Sequence, residues 1–141
     1  MTDTAISSPP PAFGAVEGYQ RALQQTLGLA MNHHQSGQLR EAEQLYRAVL
    51  QAEPEHAQAN HHLGVLMVET EQPAALQHFE AALAADPESA RYWISYIRAL
   101  AYTGQFEHAR QMLALGKEHG LDGDAVEELA QTLSAGPQTE A

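Results

Sequence analysis

Two stretches of this chain repeat one pattern of apolar residues and prolines. The matching pairs lie 33 positions apart and are Tyr46 with Phe79, Leu50 with Leu83, and Pro54 with Pro87. A third, looser copy starts at Gly104 and includes Ala109. A period of this length is typical of repeat proteins, in which each helical hairpin buries its apolar face only against its neighbours. The spacing therefore predicts an all-α stack of hairpins, a fold that favours binding.

Helical spacing of apolar residues predicts the boundaries of three hairpins and one further helix. In the first helix, Val16, Tyr19, Leu23 and Leu27 fall on one face and are expected to point inward. The hairpins are predicted at about residues 15–54, 55–87 and 88–121, and a capping helix, apolar inside and polar outside, at 122–134. Pro73 is expected in the first turn of the fourth helix. Residues 1–14 and 135–141 are predicted to form a disordered leader and tail.

Composition excludes several classes of function. The 141 residues include 18 acidic and 7 basic side chains, for a formal net charge of −11. This balance argues against binding to nucleic acid or to an anionic membrane surface, since both need clustered Lys and Arg. The chain has no cysteine, which removes disulfides and thiolate chemistry. No secretory signal or membrane-spanning run is present in the sequence, so a soluble cytoplasmic protein is expected.

The repeated residues resemble those of the tetratricopeptide repeat (TPR) family. They are Leu29-Ala30, Gly37, Ala42, Tyr46 and Pro54 in the first unit, Leu63-Gly64, Ala75, Phe79, Ala82-Leu83 and Pro87 in the second, and Trp93, Gly104 and Ala109 in the third. The second unit is one residue short at its inner turn, where Glu71-Gln72 replaces the usual glycine region. The third unit departs further, because Gly116 stands where a small Ala is usual and no proline closes it.

The resemblance implies a right-handed superhelix of three hairpins whose first helices line a concave groove. Such a groove usually holds a peptide or protein segment, so the chain is expected to be a non-enzymatic interaction module without a cofactor. The block also resembles the repeat regions that precede glycosyltransferase domains in large bacterial proteins, similar to O-linked N-acetylglucosamine transferases and SPINDLY-type enzymes. On that resemblance the chain is the targeting or regulatory part of a longer bacterial protein.

The family's geometry implies which side chains face the groove. The predicted partner-binding residues are Met31, His34, Gln35, Gln58, His61, His62, Val65, Glu69, Arg91, Ile94, Arg98 and Tyr102. Arg91 and Arg98 are seven residues apart on one helix face, which suggests a ligand with an acidic group or a C-terminal carboxylate. The competing interpretation is that each arginine pairs with a neighbouring Glu. Trp93, Tyr96, Tyr46 and Phe79 are predicted to be core residues, whereas Tyr102 is expected at the groove edge.

Two alternative functions remain open from the sequence. Neutral imidazoles can bind zinc or nickel, and His34 with His61 is the best available pair, although the chain has no HExxH motif. A stack of three repeats also has open ends, so a homodimer is an alternative in which Leu27, Met31, Val65 and Ile94 meet across chains. The family's Lys/Asn carboxylate clamp and its asparagine ladder are both absent from the corresponding groove positions.

Overall fold

The computed structural model describes residues 13–135, and every regular element in this range is an α-helix. The helices in chain order are α1 Phe13–Gln35, α2 Leu39–Ala52, α3 Ala57–Glu69, α4 Ala75–Ala85, α5 Ala90–Tyr102, α6 Phe106–Glu118 and α7 Asp124–Ala135. None of the helices in this range is both long and apolar enough to cross a membrane.

Consecutive helices pack as three hairpins, α1 with α2, α3 with α4, and α5 with α6, and α7 covers the last of them. The first helices of the hairpins also contact one another, α1 with α3 and α3 with α5. One continuous core runs through the stack, and the four aromatic residues predicted for it are 0 to 6 % exposed: Tyr46, Phe79, Trp93 and Tyr96. The all-α stack predicted from the 33-residue period is therefore confirmed.

The three hairpin turns share one hydrogen-bonding pattern, although their sequences differ. Gly37, Glu71 and Gly104 each adopt a positive φ, of 81°, 57° and 85°. In each turn the next amide bonds back to the carbonyl five residues earlier, as Gln72 does to Met67 at 2.7 Å. Glu71 thus occupies the glycine position of the second turn in a left-handed conformation that disfavours a side chain. Only four positions separate it from Ala75, whereas five separate Gly37 from Ala42, so the second unit is one residue shorter here than the first.

Several boundaries differ from the sequence-based expectations. Residues 13, 14 and 135 are helical, and the remainder of the predicted leader and tail lies outside the described residues. Helix α4 starts at Ala75, so Pro73 precedes it by two residues. Val16 and Tyr19 are 49 % and 45 % exposed, contrary to the prediction that they point inward. The reason is length, because α1 has 23 residues and α2 only 14, which leaves the first turns of α1 less covered.

Candidate functional site: the concave face

The first helices of the three hairpins, α1, α3 and α5, lie side by side and form one face of the stack. This concave face contains two depressions that share Glu69. The first has a volume of about 260 Å³ and lies between the first and second hairpins; its lining residues are Met31, His34, Gln35, Tyr46, His62 and Glu69. All but Tyr46 belong to the predicted groove set.

A chain of hydrogen bonds crosses the first depression and joins three helices. His34 Nε2 donates to Glu69 Oε1 at 2.8 Å, and the Tyr46 hydroxyl lies 3.0 Å from His34 Nδ1. Because a carboxylate only accepts, the proton of the neutral imidazole is on Nε2, and Nδ1 accepts from the tyrosine. Burial, followed by the charge of Glu69, raises the pKa of Tyr46 to about 12. The phenol therefore stays protonated and acts as a donor at the floor of the depression.

His61 is the clearest departure from the predicted groove set. Its side chain is turned into the stack and is only 6 % exposed. Its Nε2 is hydrogen-bonded to Ser95 Oγ at 2.7 Å, and its ring lies 5.0 Å from that of Tyr92. Its Nδ1 is buried and has no partner among the described residues. Burial, then His62 and Arg91, lowers the pKa of His61 to about 4. His61 is thus a neutral packing residue and offers no accessible group to a ligand.

His62, the next residue, takes the groove position instead. Its ring stacks on Tyr46 with the centroids 5.9 Å apart and the planes 8° from parallel. Burial, followed by the charges of Arg91 and His34, lowers its pKa below the usual value. Since adjacent residues on a helix point about 100° apart, the two histidines cannot share one face. The concave face therefore receives one imidazole from this pair.

The second depression lies between the second and third hairpins and has a volume of about 390 Å³. Its lining residues are Val65, Val68, Glu69, Phe79, Ser95, Arg98, Ala99 and Tyr102. Apolar side chains predominate here, with one guanidinium group at the rim. Tyr102 is 65 % exposed. This depression can accommodate apolar side chains beside an anionic group.

Arg91 and Arg98 are both exposed, and neither has an ion-pair partner among residues 13–135. The interpretation that each simply pairs with a neighbouring Glu is therefore wrong for the described part of the chain. Seven residues of helix separate the two by about 10.5 Å along the axis. They are consequently two separate cationic positions and do not grip a single carboxylate from both sides. Arg91 lies beside the two histidines of α3, whose pKa values its charge lowers.

The remaining predicted groove residues line neither depression. Gln58 is exposed near the start of α3, and Ile94 is partly buried against the core. Leu27, expected to meet a second chain, is 2 % exposed and is a core residue. Only Met31, Val65 and Ile94 of the proposed contact set retain accessible surface.

Within residues 13–135, no three His, Asp or Glu side chains come together in a way that could hold a metal ion. Both ring nitrogens of His34 are engaged, one by Glu69 and one by Tyr46. His61 has one nitrogen on Ser95 and the other buried. The two histidines named from the sequence thus lack a third ligand among the described residues.

A third depression, the turn pocket, was not foreseen from the sequence. It adjoins the second depression, has a volume of about 470 Å³, and is lined by Val68, Glu71, Gln72, Pro73, Ala75, Leu76, Ala99, Tyr102 and Thr103. Val68, Ala99 and Tyr102 line both depressions. The shortened second turn was the sequence signal that this region differs from its counterparts, but its spatial neighbour α5 could not be inferred from that alone.

Comparison with known proteins agrees with this architecture. Residues 73–133 match the tetratricopeptide repeat family. A stretch of 80 residues is 31 % identical to cellulose synthase operon protein C of Komagataeibacter xylinus; it makes up 56 % of this chain but only 6 % of that protein's length.

Two solved structures share the fold over most of the chain. One is the first TPR of Spaghetti (RPAP3) bound to the HSP90 peptide SRMEEVD, with a TM-score of 0.68, 13 % identity, and coverage of 80 % of this chain and 94 % of that one. The other is the type III secretion chaperone SycD of Yersinia enterocolitica in complex with a peptide of the translocator YopD, with a TM-score of 0.68, 22 % identity, and coverage of 82 % and 88 %. At these identities the likeness concerns the fold.

Proposed function

We propose that the concave face of this chain, whose residues 73–133 match the tetratricopeptide repeat family, binds an extended peptide or protein segment. The observation that carries this proposal is the row of accessible side chains from Met31 to Tyr102, which lines two adjoining depressions across all three hairpins. The relatives Spaghetti and SycD, which share this fold, are described with bound peptides. A groove of this kind needs no catalytic group, so we propose a binding module without enzymatic activity.

We further propose that the bound segment carries an acidic side chain or a C-terminal carboxylate. Arg98 lies at the rim of the apolar second depression and has no ion-pair partner among the described residues. In a chain with a net charge of −11, an exposed guanidinium without a partner is a specific attraction for an anion. A carboxylate can accept two parallel hydrogen bonds from this group. Glu69, in contrast, is already bonded to His34.

The test starts from a phage-displayed library of random peptides of about 12 residues, selected on the immobilised protein. Selected sequences are then synthesised with a fluorophore, and their affinities are measured by fluorescence anisotropy. Enrichment of Asp, Glu or a free C-terminus is expected. The variant Arg98→Glu is expected to weaken binding about tenfold or more, because it replaces a charge-assisted hydrogen bond with repulsion.

Arg40→Glu is the matched control, since Arg40 is exposed on α2, outside both depressions. It changes the net charge of the protein by the same amount, so a general electrostatic effect would appear equally in both variants. Failure to select any peptide above background would contradict the binding proposal. Equal affinities of the two variants would contradict the role of Arg98 only.

The chain is further proposed to act within a longer protein. It covers only 6 % of the length of cellulose synthase operon protein C, in which the matching repeats are one small part. The link to a bacterial glycosyltransferase, the cytoplasmic location and the homodimer stay predictions. Sedimentation velocity at micromolar concentration tests the homodimer directly.

A further inference from the structure

The turn pocket arises from differences between two equivalent junctions within the chain. The hydrogen bonds of the turns place Leu66 and Ala99 at the same position of successive first helices, five residues before Glu71 and Gly104. Leu66 is fully buried, whereas the much smaller Ala99 lines an open depression of about 470 Å³. The second junction thus lacks a leucine-sized side chain that the first junction has.

The rim of the pocket differs from its counterpart in the same way. At the first junction, a hydrogen bond of 2.8 Å joins His34 to Glu69. Their counterparts at the second junction, by the same register, are Val68 and Tyr102, which both line the turn pocket. Leu76 takes the position of Glu43, 33 residues earlier. Each replacement makes the second junction more apolar, and Val68 is also smaller than the imidazole of His34 that it replaces.

We infer that the turn pocket receives a large apolar side chain of the bound segment, located next to the carboxylate that Arg98 attracts. This inference rests on the proposed function and specifies its ligand. The pocket is continuous with the second depression through Val68, Ala99 and Tyr102, and Arg98 lines the same depression. Its volume is within the range of cavities that bind small organic groups. A segment that satisfies the arginine therefore has an apolar cavity within the reach of its neighbouring side chain.

The direct probe is N-acetyl-L-phenylalanine, which carries an aromatic ring and a carboxylate in one small molecule. Its titration is followed by the amide chemical shifts of the ¹⁵N-labelled protein. Saturable shifts are expected at Leu76 and Thr103, which line the pocket. N-acetylglycine, which lacks the ring, and N-acetyl-L-phenylalaninamide, which lacks the charge, are each expected to bind more weakly.

The decisive variants take their residues from the preceding repeat. Ala99→Leu installs the residue found at position 66, and Leu76→Glu installs the residue found at position 43, so both are compatible with this backbone. Each is expected to lower the affinity for N-acetyl-L-phenylalanine about tenfold or more, because a leucine at position 99 would fill the pocket and a carboxylate at position 76 would charge it. Ala90→Leu, at an exposed position of the same helix, is expected to leave the affinity unchanged. Circular dichroism shows whether each variant is folded.

The outcomes separate this inference from the proposal on which it rests. If selected peptides bind Ala99→Leu and Leu76→Glu as tightly as the unaltered protein, the inference is wrong and the groove proposal stands. If the amide chemical shifts of pocket residues change with protein concentration in the absence of N-acetyl-L-phenylalanine, a second copy of the chain covers the pocket. The inference is then likewise overturned. If N-acetyl-L-phenylalanine binds at the pocket but no library peptide is ever selected, the groove proposal fails, and the inference about a bound segment fails with it.

Discussion

Acidification is expected to destabilise the fold through His61. Burial of its ring, followed by the charges of His62 and Arg91, lowers its pKa from 6.5 to about 4. In the unfolded chain the imidazole titrates near its ordinary value. Between the two values, the unfolded state binds a proton that the folded state does not. The stability that depends on the neutral His61 ring is therefore fully present above pH 6.5 and is lost as the pH falls towards 4.

The structure sets the size of this effect. Lowering the pKa of His61 from 6.5 to about 4 corresponds to a loss of about 3 kcal/mol in the free energy of unfolding at the acidic end of this pH range. By about pH 5.5, roughly 1 kcal/mol of that loss has already occurred. Because the ring is only 6 % exposed, solvent does not relieve this penalty. Measurements down to about pH 5.5 also stay above the sequence pI of about 5.0, where solubility is better.

The assay compares the unaltered protein with His61→Gln by urea denaturation between about pH 7.5 and about pH 5.5. The amide of glutamine can keep the hydrogen bond to Ser95 but does not titrate. Fluorescence of Trp93, the single tryptophan, reports unfolding. The difference in unfolding free energy between the two proteins is expected to change by about 1 kcal/mol across this range. His108→Gln, at an exposed position, is the control.

Parallel stability curves for the unaltered protein and His61→Gln would refute the reasoning. They would mean that the imidazole is as easily protonated in the folded chain as in the unfolded one. The buried Nδ1 would then have to reach solvent or an acceptor. An equal change in slope for His108→Gln would instead point to a general charge effect.

Two further substitutions test the backbone and the packing. Glu71→Gly is expected to stabilise the protein by about 0.5–1 kcal/mol, because the residue has a φ of 57° that disfavours a Cβ atom; Glu71→Ala, which keeps the Cβ, should give no such gain in urea denaturation. Gly64→Val is expected to destabilise by about 1–3 kcal/mol, since a Cβ there would lie 3.0 Å from the buried Phe79 ring. Gly28→Val, where nothing lies within 4 Å, is the control, and equal losses of thermal stability would contradict the packing argument.

The sequence predicted best what recurs from repeat to repeat. Tyr46 and Phe79 were placed in the core because equivalent positions of a stack have equivalent neighbours, and both are buried. The sequence failed to predict burial where it depends on the particular residues or helix that one position packs against. Val16 and Tyr19 follow the helical period but lie where the shorter partner helix ends, since the Tyr19 hydroxyl reaches the carbonyl of Ala52, the last residue of α2. The choice between His61 and His62 depended on Ser95 and Tyr92 of α5, whose alignment with α3 no spacing along the chain specifies.

The two hairpin junctions along the groove differ for the same reason, because core positions repeat between hairpins whereas junction positions do not. The stack needs its small and large core residues in every hairpin, so those positions repeat. Side chains at the hairpin junctions carry no such requirement, and the two junctions differ: His34 and Glu69 bond across the first, whereas Val68 and Tyr102 leave the second open. Arg98 lies at that same open junction. Within the described residues, the apolar turn pocket and the unpaired guanidinium of Arg98 adjoin at the junction where the repeat diverges, which is why we propose the second junction as the place where a ligand binds.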